Sequence, residues 1–130
     1  MFSGRSAFHV ALGAAVGASL RWWVGEAIDP SGSWPWATFC VNLVGAFLLG
    51  VVLTATHHRV DEITSDPVRL ALGTGFCGAL TTFSTLAVEI ASLGRDDRAG
   101  LAVGYLGASL VGGVAVFGLG RALAGRAVRS

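Results

Sequence analysis

Residues 73–85 read Gly73-Thr74-Gly75-Phe76-Cys77-Gly78-Ala79-Leu80-Thr81-Thr82-Phe83-Ser84-Thr85, placing three glycines and a cluster of hydroxyl side chains inside a membrane-length apolar run. In hydrocarbon an unpaired backbone N–H or C=O costs several kcal/mol, so irregular backbone is tolerated only where it faces protein, water or an ion. A helix weakened at this depth is therefore a candidate site. Its surroundings decide the fold.

Working outward, four segments have roughly the length needed to cross a bilayer: Ala7–Ala27, Trp36–Thr56, Val68–Leu93 and Ala99–Leu123. The quoted stretch lies in the third. The first has Arg5 ahead of its apolar run, as a secretory signal would. It continues instead to Arg21-Trp22-Trp23, a cation and two rings suited to an interface, and three more spans follow. The connectors are short: a turn-rich Ile28–Pro35, a charged His57–Asp66 and a tight Gly94–Arg98. The expectation is an all-α integral membrane protein, one domain over residues 1–130, with four transmembrane helices and the third broken mid-membrane.

Composition agrees. Apolar residues make up 53% of the chain and charged residues 13%, which a small water-soluble domain could not accommodate. Net charge is +1, with nine basic residues spread along the chain, so nucleic acid is excluded as a partner for want of a clustered basic face. Arg5, Arg59, Arg69, Arg121, Arg126 and Arg129 fall on one side of the four-span topology, and Arg21, Arg95 and Arg98 on the other. That bias leans toward both termini in the cytoplasm. Cys40 and Cys77 lie in apolar segments without metal-ligand spacing and read as small hydrophobes. Gly73-x-Gly75-x-x-Gly78 matches the dinucleotide fingerprint by letter only, since that motif needs a strand-to-helix turn in a soluble unit. His57 and His58 are adjacent on a polar loop, and no acid, base and nucleophile set stands out, so enzymatic chemistry is not expected.

Small residues at Gly13, Gly17, Gly45, Gly100, Gly104, Gly107, Gly112 and Gly113 suit close helix packing. Thr38, Asn42 and Gly45 share one face of the second span, and Tyr105, Ser109 and Gly112 repeat that spacing on the fourth. The two stripes either line a narrow polar path or hydrogen-bond between helices. Arg21 and Glu89 lie near span ends, where each serves as a vestibule charge or a structural anchor.

Gly75-Phe76-Cys77-Gly78-Ala79-Leu80-Thr81-Thr82-Phe83-Ser84-Thr85, together with Gly17-x-x-x-Arg21 and Asn42-Leu43-Val44-Gly45, resembles the signatures of the Fluc (CrcB) fluoride channels. The resemblance implies a passive fluoride channel in the cell membrane, built as an antiparallel dual-topology dimer. That dimer is either a homodimer or a heterodimer with a paired homologous subunit. It further implies a structural sodium ion at the dimer interface, held by the backbone carbonyls of Gly78 and Thr81. Phe83 would be a pore ring, Asn42 an amide donor, and Thr38, Ser84, Thr85, Tyr105 and Ser109 the polar wall of the ion pathway.

Two positions depart from the family pattern. Leu86 stands where a second phenylalanine is usual, and Ala79 replaces one of a glycine pair. Leu86 is three residues after Phe83, a spacing expected to put both beside the same path. The alternatives are a small multidrug-type exporter and a non-transporting structural subunit. The exporter needs a membrane-embedded carboxylate in its first helix, and here the first acidic residue is Glu26 at that helix's far end.

Overall fold

The computed structural model describes residues 4–28, 32–56 and 66–129. Of the expected connector His57–Asp66 all but Asp66, and of the first connector residues 29–31, lie outside the described residues. Helix α1 spans Gly4–Ala27 and α2 spans Trp36–Ala55. Helix α3 consists of a π-wound segment, Arg69–Cys77, continued by one α-helical turn, Gly78–Leu80. Helix α4 is Phe83–Arg95 and α5 is Ala99–Arg129.

Local chemistry sets several of these boundaries. Asp66 starts α3: its Oδ1 accepts from the backbone N–H of Val68 at 2.8 Å and of Arg69 at 3.2 Å, and Pro67 follows where its missing N–H costs nothing. Thr82 caps α4 by accepting from the Thr85 N–H at 3.1 Å. Asp97, at φ 56°, takes the left-handed conformation that turns α4 into α5. Helix α5 runs well past the expected end at Leu123, because Ala124, Arg126 and Ala127 continue a good helix after the apolar run has stopped.

Among the described residues there is no strand, and three helical stretches are long and apolar enough to cross a membrane: Trp36–Ala55, Arg69–Arg95 and Ala99–Val128. Helix α1 has the length, at 24 residues, but carries His9, Ser19 and Arg21 among its glycines and alanines. Large apolar side chains face outward, with Val103, Val111 and Val114 all above 70% exposed. Such a surface is stable in hydrocarbon and a liability in water.

Helices α1 and α3 pack together, α2 lies on α5, and α4 leans on α5. Glycines permit the closest approaches. A Cβ on Gly13 would overlap the Ala71 carbonyl, and one on Gly75 the Val10 carbonyl. Gly50 and Gly120 play the same part between α2 and α5, against the carbonyls of Phe117 and Phe47. Of the glycines expected to pack, Gly17, Gly45 and Gly112 also meet a neighbouring helix, whereas Gly100, Gly104, Gly107 and Gly113 face open space. Their spacing marked a small-residue surface, but among the described residues nothing comes within 4 Å of a Cβ at these positions. Leu86, Leu93, Ala102 and fully buried Tyr105 form the core between α4 and α5.

Candidate ion pathway at the junction of α3 and α4

Thr81 (φ −78°, ψ 152°) and Thr82 (φ −146°, ψ 115°) are extended, so the α-helical ladder stops at Leu80 and resumes at Phe83. Asn42 of α2 pairs with this backbone. Its Oδ1 accepts from the Thr82 N–H at 2.8 Å, and its Nδ2 donates to the Thr82 carbonyl at 3.2 Å. In a continuous helix the Thr82 N–H would close on the Gly78 carbonyl and the Thr85 N–H on the Thr81 carbonyl. Asn42 diverts the first of these donors and the Thr82 hydroxyl diverts the second. The Thr81 hydroxyl meanwhile donates back to the Cys77 carbonyl at 2.9 Å.

A second cluster joins three helices. The Glu89 carboxylate of α4 accepts from the Thr38 hydroxyl of α2 at 2.7 Å and from the Tyr105 hydroxyl of α5 at 2.7 Å. Thr38 and Tyr105, one from each of the polar stripes expected on α2 and α5, thus meet at Glu89, their common acceptor. Trp34, in the connector before α2, stands edge-on to Tyr105 at 5.2 Å and to Phe39 at 5.5 Å, walling the cluster with aromatic rings.

Two adjoining cavities flank these groups. One, of about 450 Å³, opens among Trp34, Thr38, Thr85, Glu89, Asp96 and Arg98. The other, of about 290 Å³, is lined by Arg21, Thr38, Val41, Thr82 and Thr85. Thr38 and Thr85 line both. Arg21 is therefore beside the junction, in a hydroxyl-lined space. Tyr105 is fully buried and forms a back wall, while the Ser109 hydroxyl is buried without a hydrogen-bond partner among the described residues.

Phe83 and Leu86 do not share a face. Phe83 is 77% exposed on the outside of the chain, whereas Leu86 is 5% exposed and packs with Leu93, Ala102 and Tyr105. The offset of about 60° between positions three apart suffices to carry one outward and the other into the core. Ser84 is exposed beside Phe83, with its hydroxyl 3.2 Å from that of Thr82, and Gly78 is exposed as well. Sequence reasoning missed Thr82 as an organising residue. A hydroxyl three residues ahead of Thr85 was a cap signal, but its partnership with Asn42 had no local sign. Trp34 was missed too, since it lies in the turn-rich connector Ile28–Pro35 and its contact with Tyr105 has no local sign.

Comparison with known proteins supplies the remaining finding. The family model described as CrcB-like protein, Camphor Resistance (CrcB), matches residues 8–121. A protein of Bordetella pertussis bearing the name Fluoride-specific ion channel FluC is 43% identical over 115 residues, covering 87% of this chain and 86% of the relative. One of the same name from Chloroflexus aurantiacus is 44% identical over 118 residues, covering 86% of this chain and 92% of the relative. Fluoride-specific ion channel FluC 2 of Rhodococcus jostii is 44% identical over 111 residues, covering 85% and 91%.

Proposed function

This chain belongs to the CrcB-like family, and on that premise we propose that it is one subunit of a fluoride-specific channel that lets fluoride leave the cell passively. It is a multi-pass membrane protein and not an enzyme. Fluoride enters acidified cells as neutral HF and ionises inside, so an anion-selective leak suffices and no energy coupling is needed.

The observation that carries the reading is the pair of adjoining cavities beside the α3–α4 junction, which share the hydroxyl residues Thr38 and Thr85, with Thr82 and Arg21 lining one and Arg98, Glu89 and Asp96 the other. Fluoride is small and tightly hydrated, so its path must replace water with hydroxyl, amide and ring-edge donors without holding the ion too firmly. Ser109 brings a buried hydroxyl with no competing partner. Asn42 keeps one N–H beyond the bond to Thr82, since its amide has two. Phe83 offers a polarised ring edge from the outer face.

Helix α1 is the first of four spans in this reading, and the α3–α4 junction lies near mid-membrane. The assembly is an antiparallel dimer. A second copy or a paired homologue covers the exposed Phe83, Ser84 and Gly78, which otherwise would present ring, hydroxyl and backbone to lipid. The numbered name of the Rhodococcus relative favours the paired arrangement as a possibility for this chain. Gly78 and Thr81, whose helical donors are diverted, lend their carbonyls to a sodium ion between subunits, as freed backbone at a broken membrane helix suits a hard cation.

Fluoride and chloride efflux from proteoliposomes holding only this chain tests the proposal. Fluoride should leave far faster than chloride. Equal release of both ions would remove the assignment.

A further inference from the structure

Two arginines near the C-terminal end of α5 have no counter-charge among the described residues. Arg121 and Arg126 line an open groove of about 510 Å³ with Thr54 of α2 and Gly118, Ala122 and Gly125 of α5. Both are exposed, and neither has an ion-pair or hydrogen-bond partner among the described residues. The groove floor is bare: a Cβ on Gly118 would meet nothing within 4 Å, and one on Gly125 only the Thr54 methyl at 3.9 Å.

The groove continues into an apolar strip. Val111 and Val114 precede Gly118 by two turns and one turn on the same face of α5, and they are 72% and 74% exposed. Helix α5 has 31 residues and so is roughly 46 Å long, against a hydrocarbon core of about 30 Å. Its last turns therefore reach headgroup depth, level with the end of α2 at Ala55. One helix face thus passes from exposed valines to a glycine-floored pocket with two unanswered guanidiniums.

We propose that this groove binds the phosphate headgroup of an anionic phospholipid, with an acyl chain lying along Val114 and Val111. Guanidinium forks match phosphate oxygens in geometry and charge, and the Thr54 hydroxyl adds a third donor. The small floor lets the headgroup approach the helix backbone. A soluble anion would use the arginines and leave the valine strip without a role, so lipid accounts for the whole face. Arginines of this kind between transmembrane helices on one membrane side fit a lipid-phosphate site.

The test uses the full chain purified in detergent micelles and measures retained lipid by native mass spectrometry, a readout independent of ion flux. Phosphatidylglycerol should be retained about thirtyfold more strongly than phosphatidylcholine, taking roughly fivefold per arginine near an anionic headgroup. Arg121→Gln with Arg126→Gln should abolish the preference, Arg121→Lys with Arg126→Lys should keep most of it, and Arg95→Gln at the opposite end should leave it intact. Circular dichroism of each variant separates lost binding from lost helix. Equal retention of the two lipids by wild-type chain, or an undiminished preference in the double glutamine variant, would overturn the proposal. So would displacement of the lipid by millimolar inorganic phosphate, which would make the groove a site for soluble anions.

Discussion

Replacing Asn42 with alanine tests whether this amide holds the backbone at the α3–α4 junction. Asn42 satisfies both peptide groups of Thr82, at 2.8 Å and 3.2 Å, in a part-buried setting. Leaving a buried donor or acceptor unpaired costs about 1–3 kcal/mol, so losing both partners amounts to roughly 2–6 kcal/mol. Relaxation offsets part of this, because the freed Thr82 N–H can fall back onto the Gly78 carbonyl and restore one helical bond, recovering about 1 kcal/mol. The expected net loss is about 1–5 kcal/mol, and the same relaxation consumes a carbonyl proposed for sodium. Asn42→Ala should therefore lower the thermal stability of the reconstituted protein, reduce fluoride efflux and weaken the dependence of stability on sodium together. Asn42→Asp retains the acceptor and loses the donor, and should fall between alanine and wild type. The assays are a detergent melting curve in sodium and in N-methylglucamine, and fluoride release from vesicles. Wild-type stability in Asn42→Ala with flux alone impaired would refute the reasoning, since an amide serving only the permeating ion would behave in that way.

Leu86→Phe should destabilise the chain by about 1–3 kcal/mol, because Leu86 is packed against Leu93, Ala102 and Tyr105 and an added ring overfills that core; raised fluoride flux at unchanged stability would show that the new ring turns outward beside Phe83. Gly50→Val should loosen the α2–α5 pair, seen as a lower melting temperature, since its Cβ would overlap the Phe117 carbonyl, whereas Gly94→Ala, where a Cβ meets nothing within 4 Å, should be neutral or slightly stabilising. Exchanging sodium for N-methylglucamine should reduce dimer stability, by about 2.7 kcal/mol where free sodium had stood a hundredfold above its dissociation constant; identical dimerisation in both salts across a wide concentration range would remove the sodium site.

The amino-acid sequence by itself determined the solvent and the secondary structure. Apolar runs of membrane length, arginines and tryptophans at their ends, and short turn-rich links are local properties, and each follows from the cost of exposing backbone or charge to hydrocarbon. The stretch Gly73–Thr85 stood out for the same reason, since glycines and threonines in that density weaken a helix wherever it sits. Helix α5 was under-read at its far end because the apolar pattern stops before the helix-forming residues do.

Which side chains meet was decided only by the tertiary structure. Thr38 and Glu89 are 51 residues apart in sequence, and Asn42 and Thr82 are 40 apart, so neither pairing leaves a trace in local spacing. Both depend on how far each helix is rotated about its axis and how closely it approaches its neighbours. Those quantities rest on a few backbone contacts, such as Gly13 on Ala71 and Gly50 on Phe117, where no side chain intervenes. The same rotation places Leu86 in the core and Phe83 on the surface. Periodicity along one helix shows that two residues are neighbours. Only the position of the other helices shows which of them is covered.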